Sequence, residues 1–160
     1  MSTVNFNIAI VELYRQIFAT SAHTARAREA MGIPHGIIER MLLTPDDEKK
    51  ITPLIDESIN EVFSDIARYH PGSSSTFIQE EENGYYHFTI DAPENYPPGN
   101  EEKLRQSALN YIVNRTLQNW YANIKPDEAG IPAAKAQNNA TTMRELLTQR
   151  IKPSKQQAGN

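Results

Sequence analysis

The sequence contains no cysteine. Disulfides, thiolate zinc sites, cysteine-ligated iron–sulfur clusters and cysteine nucleophiles are therefore excluded. This permits a reducing compartment without requiring one. Long apolar runs are missing too. The longest stretches free of Asp, Glu, Lys and Arg are 11 residues, Met1–Val11 and Tyr69–Gln79. A bilayer-spanning helix needs roughly 20 apolar residues. The N-terminus lacks a basic segment followed by an apolar one, so no signal peptide is expected. Positive charge is not in excess: 16 Lys+Arg against 20 Asp+Glu give a formal net charge of −4. A broad nucleic-acid-binding face would normally make the domain basic. Neither a P-loop nor a dinucleotide-binding glycine pattern occurs, so no phosphate-cradling loop is visible.

What remains is a chain of 160 residues, the length of one domain and enough to bury a core without staples. From Asn5 to about Ala30 the spacing predicts a first helix, with Ile10, Leu13, Tyr14, Ile17 and Phe18 on one stripe. Gly32 and Pro34 break it. Residues 33–43 read as a short apolar connector. Thr44-Pro45-Asp46-Asp47-Glu48 then supplies a capping hydroxyl, a proline at the first helical position and acids in the first turn. Thr52-Pro53 repeats the signal. Proline costs about 3 kcal/mol inside a helix, so a short helix at 45–51 and a longer one from Pro53 are expected, with a single kinked helix as the alternative. The longer segment carries Ile51, Leu54, Ile55, Ile59, Val62, Phe63 and Ile66.

Asn83-Gly84 between β-rich segments predicts a hairpin over 76–91. With those two residues as the turn, Glu82 faces Tyr85. Phe77, Gln79 and Glu81 then share a face with Tyr86, Phe88 and Ile90, which should pack on helices. The tip, acidic and tyrosine-bearing, should protrude. A helix from Asn100 to about Ile124 carries Leu104, Ala108, Tyr111, Ile112, Leu117, Trp120 and Tyr121. A last helix from about Pro132 to Ile151 carries Ala136, Ala140, Met143, Leu146 and Leu147. The expected fold is mostly α: a bundle of about four main helices, with one β-hairpin between the second and third. Residues 1–151 form a single domain in this reading. Residues 152–160 have no apolar stripe and are expected to be a flexible tail.

Candidate chemistry is sparse. No two of His23, His35, His70 and His87 sit three or four residues apart, so a metal site would need remote segments. Asp46, Asp47 and Glu48 read as first-turn acids rather than ligands. Glu80, Glu81 and Glu82 alternate faces on a strand and cannot all meet one ion. Glu61 and Asp65 could share a helix face, which is ordinarily solvated. Ser73, Ser74 and Ser75 lack nucleophile-elbow glycines and read as a linker. Trp120 and Tyr121 read as core anchors. No catalytic, cofactor-binding or metal-ligating residue is expected. The remaining candidates are interaction residues: Glu80, Glu81, Glu82, Tyr85 and Tyr86 on the hairpin, and Arg150, Lys152 and Lys155 near the C-terminus. An isolated hairpin is marginal alone and needs support from its own helices or a neighbour.

The order of these elements resembles the head–tail connector (adaptor or ring) proteins of tailed bacteriophages, particularly small ones from phages of Bacteroides-type gut hosts. The residues concerned are ITPLIDESINEVFSDIARY, the hairpin, NRTLQNWYANIKPDEA and MRELLTQRIKP. The resemblance covers about 44–153 and rests most on the stretch from Asn119-Trp120-Tyr121 through Lys125-Pro126-Asp127-Glu128-Ala129 to Arg150-Ile151-Lys152-Pro153. It departs at AGIPAAKAQNN, where an uninterrupted helix is expected, and residues 1–43 have no counterpart. The resemblance implies a non-enzymatic virion part without cofactor, assembled in the host cytoplasm. Such subunits form rings, commonly of twelve, between portal and tail proteins. DNA passes through the ring without sequence-specific binding, and no membrane is involved. A small helical protein-binding module, such as a regulator or inhibitor, is the alternative.

Overall fold

The computed structural model describes residues 2–69, 76–80, 84–92 and 96–148. The order is β1 (Ser2–Ala9), α1 (Ile10–Ala30), α2 (His35–Met41), α3 (Glu48–Tyr69), β2 (Thr76–Glu80), β3 (Tyr85–Ala92), α4 (Asn100–Ile124) and α5 (Gly130–Thr148). Short 3-10 turns at Pro45–Asp47 and Pro126–Ala129 lead into α3 and α5. The architecture is a helical bundle with four main helices, α1, α3, α4 and α5. The β2–β3 hairpin lies between the second and third of them.

The N-terminal segment differs from the expected helix. Ser2–Ala9 is a strand and α1 starts only at Ile10. The hairpin therefore becomes a three-stranded antiparallel sheet in the order β1-β3-β2. Val4, Phe6 and Ile8 pair with Ile90, Phe88 and Tyr86, and all six side chains are buried. Residues 5 to 9 satisfy both periods. Phe6 lies four residues before Ile10, as a helical stripe requires, yet Val4, Phe6 and Ile8 also alternate with Asn5 and Asn7. Pairing with β3 decides for the strand, because it places three apolar groups on the core face at once.

The hairpin register is shifted by two residues from the expected one. Glu80 pairs with Tyr85 and Phe77 with Phe88, leaving 81–84 as the connection. A shift of two preserves the faces, so Tyr86, Phe88 and Ile90 point inward as expected. Gly84 keeps a positive φ of 69°.

The short helix expected at 45–51 is not separate from the one after Pro53: α3 is continuous through the proline, as the single-helix alternative has it. Ile51 and Ile55 on either side of Pro53 are buried, as are Ile59 and Val62. Keeping that stripe on one face offsets the proline's lost hydrogen bond. Upstream, the Thr44 N–H and hydroxyl both donate to Asp47 Oδ2, at 3.0 and 3.2 Å, and so fix the entry to the helix. The helix α5 begins at Gly130 and accepts Pro132 in its first turn, so the stretch AGIPAAKAQNN is helical from Gly130 onward.

The helix α4 is the centre of the domain. It contacts β1, α1, α2, α3 and α5, and Leu104, Ala108, Leu109, Ile112 and Leu117 are fully or almost fully buried. Polar ties hold the other helices to it or to each other. Trp120 Nε1 donates to the Met41 carbonyl at 3.3 Å, pinning the end of α2. Ser21 Oγ accepts the Leu43 N–H at 3.2 Å and itself donates to the Phe18 carbonyl. Trp120 and Tyr121 thus serve as anchors, with Tyr121 1% exposed. The expected tail and the last residues of the final helix lie outside the described residues.

Candidate functional site

Three features offer surface for a partner: the outer face of the sheet, a groove between α3 and α4, and a small pocket beside α1. The outer sheet face follows from strand alternation. With Val4, Phe6 and Ile8 turned inward, Asn5 and Asn7 are exposed, and on β3 Tyr85 is exposed while His87 and Thr89 are half-buried. The His87 ring nitrogen Nδ1 lies in hydrogen-bonding contact with Asn7 Oδ1. The Tyr85 and His87 rings are 6.2 Å apart. At the hairpin end of the sheet the Ile10 N–H donates to the Gly84 carbonyl at 2.9 Å. Exposed Val11 and Tyr85 each follow directly on a residue of that bond.

The hairpin interaction residues therefore separate. Tyr85, 44% exposed, remains available to a partner. Tyr86, expected on the interacting ribbon, is instead 2% exposed, and its hydroxyl donates to Asp56 Oδ1 at 3.4 Å. The reason is parity: Tyr86 shares its face with Phe88 and Ile90. Glu80 closes β2 opposite Tyr85. Glu81, Glu82, Arg150, Lys152 and Lys155 lie outside the described residues, as does His70.

The open groove, about 740 Å³, is lined by Asp56, Glu57, Glu61, Asp65, Tyr111 and Arg115, among others. Its acids are largely engaged in holding helices together. Glu61 Oε2 accepts from Arg115 Nε at 2.7 Å and from the Tyr111 hydroxyl at 3.3 Å, joining α3 to α4. Asp65 Oδ2 accepts from Arg144 Nη2 at 3.4 Å, joining α3 to α5. Burial, reinforced by the Glu61 charge, pushes the Tyr111 phenol up to about 12. The hydrogen bond to Glu61 raises the Arg115 pKa. Glu61 and Asp65 do share one face, as their spacing predicts, and they serve as acceptors for arginines.

The pocket, about 120 Å³, lies between α1, α4 and the start of α5, where Thr24, Arg28, Tyr121, Glu128, Ile131 and Lys135 meet. Glu128 Oε1 sits 2.8 Å from Arg28 Nε and 3.7 Å from Lys125 Nζ. Glu128 is 7% exposed although its neighbour Asp127 is exposed. Burial pushes the Tyr121 phenol up. This buried ion pair was not legible in the sequence, because Arg28 and Glu128 are brought together only when α1 packs against α4.

The remaining histidines are placed apart. His23 is exposed, and exposed His35 pairs with Glu39 one turn on, at 3.0 Å. Among the described residues no group of three or more His, Asp and Glu side chains is placed to hold a metal ion. Among them, too, no helix is long and apolar enough to cross a membrane. The chain matches no family model, no curated protein and no solved structure.

Proposed function

We propose that this chain is a structural subunit of a tailed-bacteriophage virion, part of the head–tail connector ring that joins portal to tail and extends the DNA channel. The observation that carries this reading is the resemblance over about 44–153, strongest from Asn119 to Pro153. The order α3, hairpin, α4, α5 supports it. The subunit acts without cofactor or catalysis, as one copy in a homo-oligomeric ring, commonly of twelve, assembled in the host cytoplasm and retained in the virion. Its net charge of −4 suits a channel wall that lets DNA slide. A ring requires a head-to-tail contact on every subunit. Exposed Tyr85, with the hairpin acids Glu80, Glu81 and Glu82 of the sequence, meeting the basic residues Arg150, Lys152 and Lys155 of a neighbour, would supply one.

A second reading, a small helical protein-binding module, draws on the open acidic groove along α3 and α4. A basic segment of one partner would suit it. One experiment separates the two: capture by the purified chain from the parent phage's structural proteins, with mass determination of the complex. Recovery of a portal or tail protein in a ring-sized assembly is expected. Recovery of one non-structural protein at equal stoichiometry would replace the connector reading with the binding module.

A further inference from the structure

We infer that β1 is a self-pairing edge, through which two copies of the free chain join their sheets antiparallel about a two-fold axis at Phe6. The occupant of the open edge is a second copy's own β1. This inference stands apart from the connector reading and concerns the chain before any assembly.

The hydrogen-bond register identifies the open groups. The Ile10 N–H donates to the Gly84 carbonyl at the end of the β1–β3 register. In an antiparallel ladder, hydrogen-bonded and non-hydrogen-bonded pairs alternate. The bonded pairs are therefore Ile8–Tyr86, Phe6–Phe88 and Val4–Ile90. The backbone N–H and C=O groups of Asn5 and Asn7 point away from β3. Neither has a partner among the described residues. The strand carries none of the usual guards of an edge: Ser2–Ala9 has no charge and no proline.

The sequence of the strand selects its partner. About Phe6, residues at equal distance match in chemistry: Asn5 with Asn7, and Val4 with Ile8. Antiparallel pairing about that residue sets Asn5 opposite the other copy's Asn7, and Val4 opposite its Ile8. The odd-numbered pairs become the hydrogen-bonded ones, which are the positions whose backbone groups are open. The inward residues Val4, Phe6 and Ile8 meet their counterparts on the same face, so the cores abut along one six-stranded sheet. No like charges face each other across the axis. A two-fold contact requires this self-complementarity.

The test uses the full chain and sedimentation equilibrium over a concentration series. The expected result for the unaltered chain is a reversible monomer–dimer equilibrium. Asn5→Pro removes an outward N–H that the subunit's own sheet does not use, and should abolish the dimer while circular dichroism and melting of the monomer persist. Asn5→Lys with Asn7→Lys sets lysines against lysines and should weaken the dimer roughly tenfold. Asn5→Lys with Asn7→Glu sets each lysine against a glutamate and should restore it. This swap reads the register itself, on two exposed side chains. A chain that stays monomeric throughout overturns the inference. So does a complex of three or more copies, which would mean that the edge pairs head to tail. A dimer indifferent to both Asn5→Pro and the charge swap overturns it as well.

Discussion

Phe6 and Phe88 face each other across β1 and β3, with ring centroids 4.8 Å apart and planes inclined by 12°. This stacked pair joins the N-terminal strand to the hairpin and closes one side of the core, since both rings are 5% exposed or less. Phe6→Ala removes the stack and leaves a void, and should destabilise the domain by about 3–5 kcal/mol. Asn5→Ala next to it, on the solvated face, should stay within about 0.5 kcal/mol. Denaturant midpoints of the two variants check the alternation directly: equal losses would contradict the strand.

Gly84 adopts a φ of 69°, and an added Cβ would meet no atom within 4 Å. The cost of substitution is therefore one of backbone conformation alone. Gly84→Ala should destabilise by about 1–2 kcal/mol. Gly84→Asn should cost less, because asparagine enters the left-handed region more readily. Thermal melts of the two variants give the comparison, and an inverted order would refute the backbone account.

Glu128 is buried between Arg28 and Lys125. Glu128→Ala leaves the partly buried Arg28 without its counter-charge, and should cost about 3 kcal/mol. Replacing both partners, Glu128→Leu with Arg28→Met, should cost less than the single alanine change, because only the more distant Lys125 then loses its partner and the close Arg28 charge is gone. A double-mutant cycle by urea unfolding measures the difference. With the two single changes Glu128→Leu and Arg28→Met measured alongside, a double variant that falls below the unaltered chain by the full sum of both single losses would show that the two residues act independently.

The Tyr96 and Tyr111 phenols are each pushed up to about 12, chiefly by burial and then by the charges of Glu101 and Glu61 respectively. Their ordinary value is 10.0. A raised pKa in the folded state means the unfolded chain loses its proton first, so it binds fewer protons than the native chain between these values. The stabilisation is complete below pH about 10 and is lost as the pH rises toward about 12. Stability should therefore fall across that window, and Tyr111→Phe should make the fall shallower. Ultraviolet titration of tyrosinate, with unfolding midpoints at matched pH, tests both statements. Normal titration of every tyrosine in the native protein would refute them.

Much of the helical core was legible in the sequence. Leu104, Ala108, Tyr111 and Ile112 in α4, and Ala136, Ala140, Met143 and Leu147 in α5, repeat at helical spacing, and all are buried. The inward face of the hairpin was legible from alternation. Its register was not, because a shift of two residues leaves every side chain on the same face. The Asn83-Gly84 signal located the connection without fixing which residues pair on either side of it. The same parity overturns Tyr86 as an interaction residue, since a tyrosine beside Phe88 and Ile90 goes inward whatever the turn. Pro53 marked a helix start on propensity, and the buried stripe from Ile51 to Val62 overrode it.

By itself, the sequence determined the number and the faces of the main helices, the presence of a hairpin and the absence of thiol chemistry. These depend on short-range periodicity and on residue type, which a single strand of text contains. Only the tertiary structure decided that Ser2–Ala9 is a strand, because its residues fit two periods and the choice lies with a partner some 80 residues away. It alone brought Arg28 to Glu128 and Arg115 to Glu61, since charges distant in the chain become neighbours only through the packing of α1 and α3 around α4. Local pattern fixes which side of an element turns inward; the pairing of distant elements fixes what that side, and the edge left over, will meet.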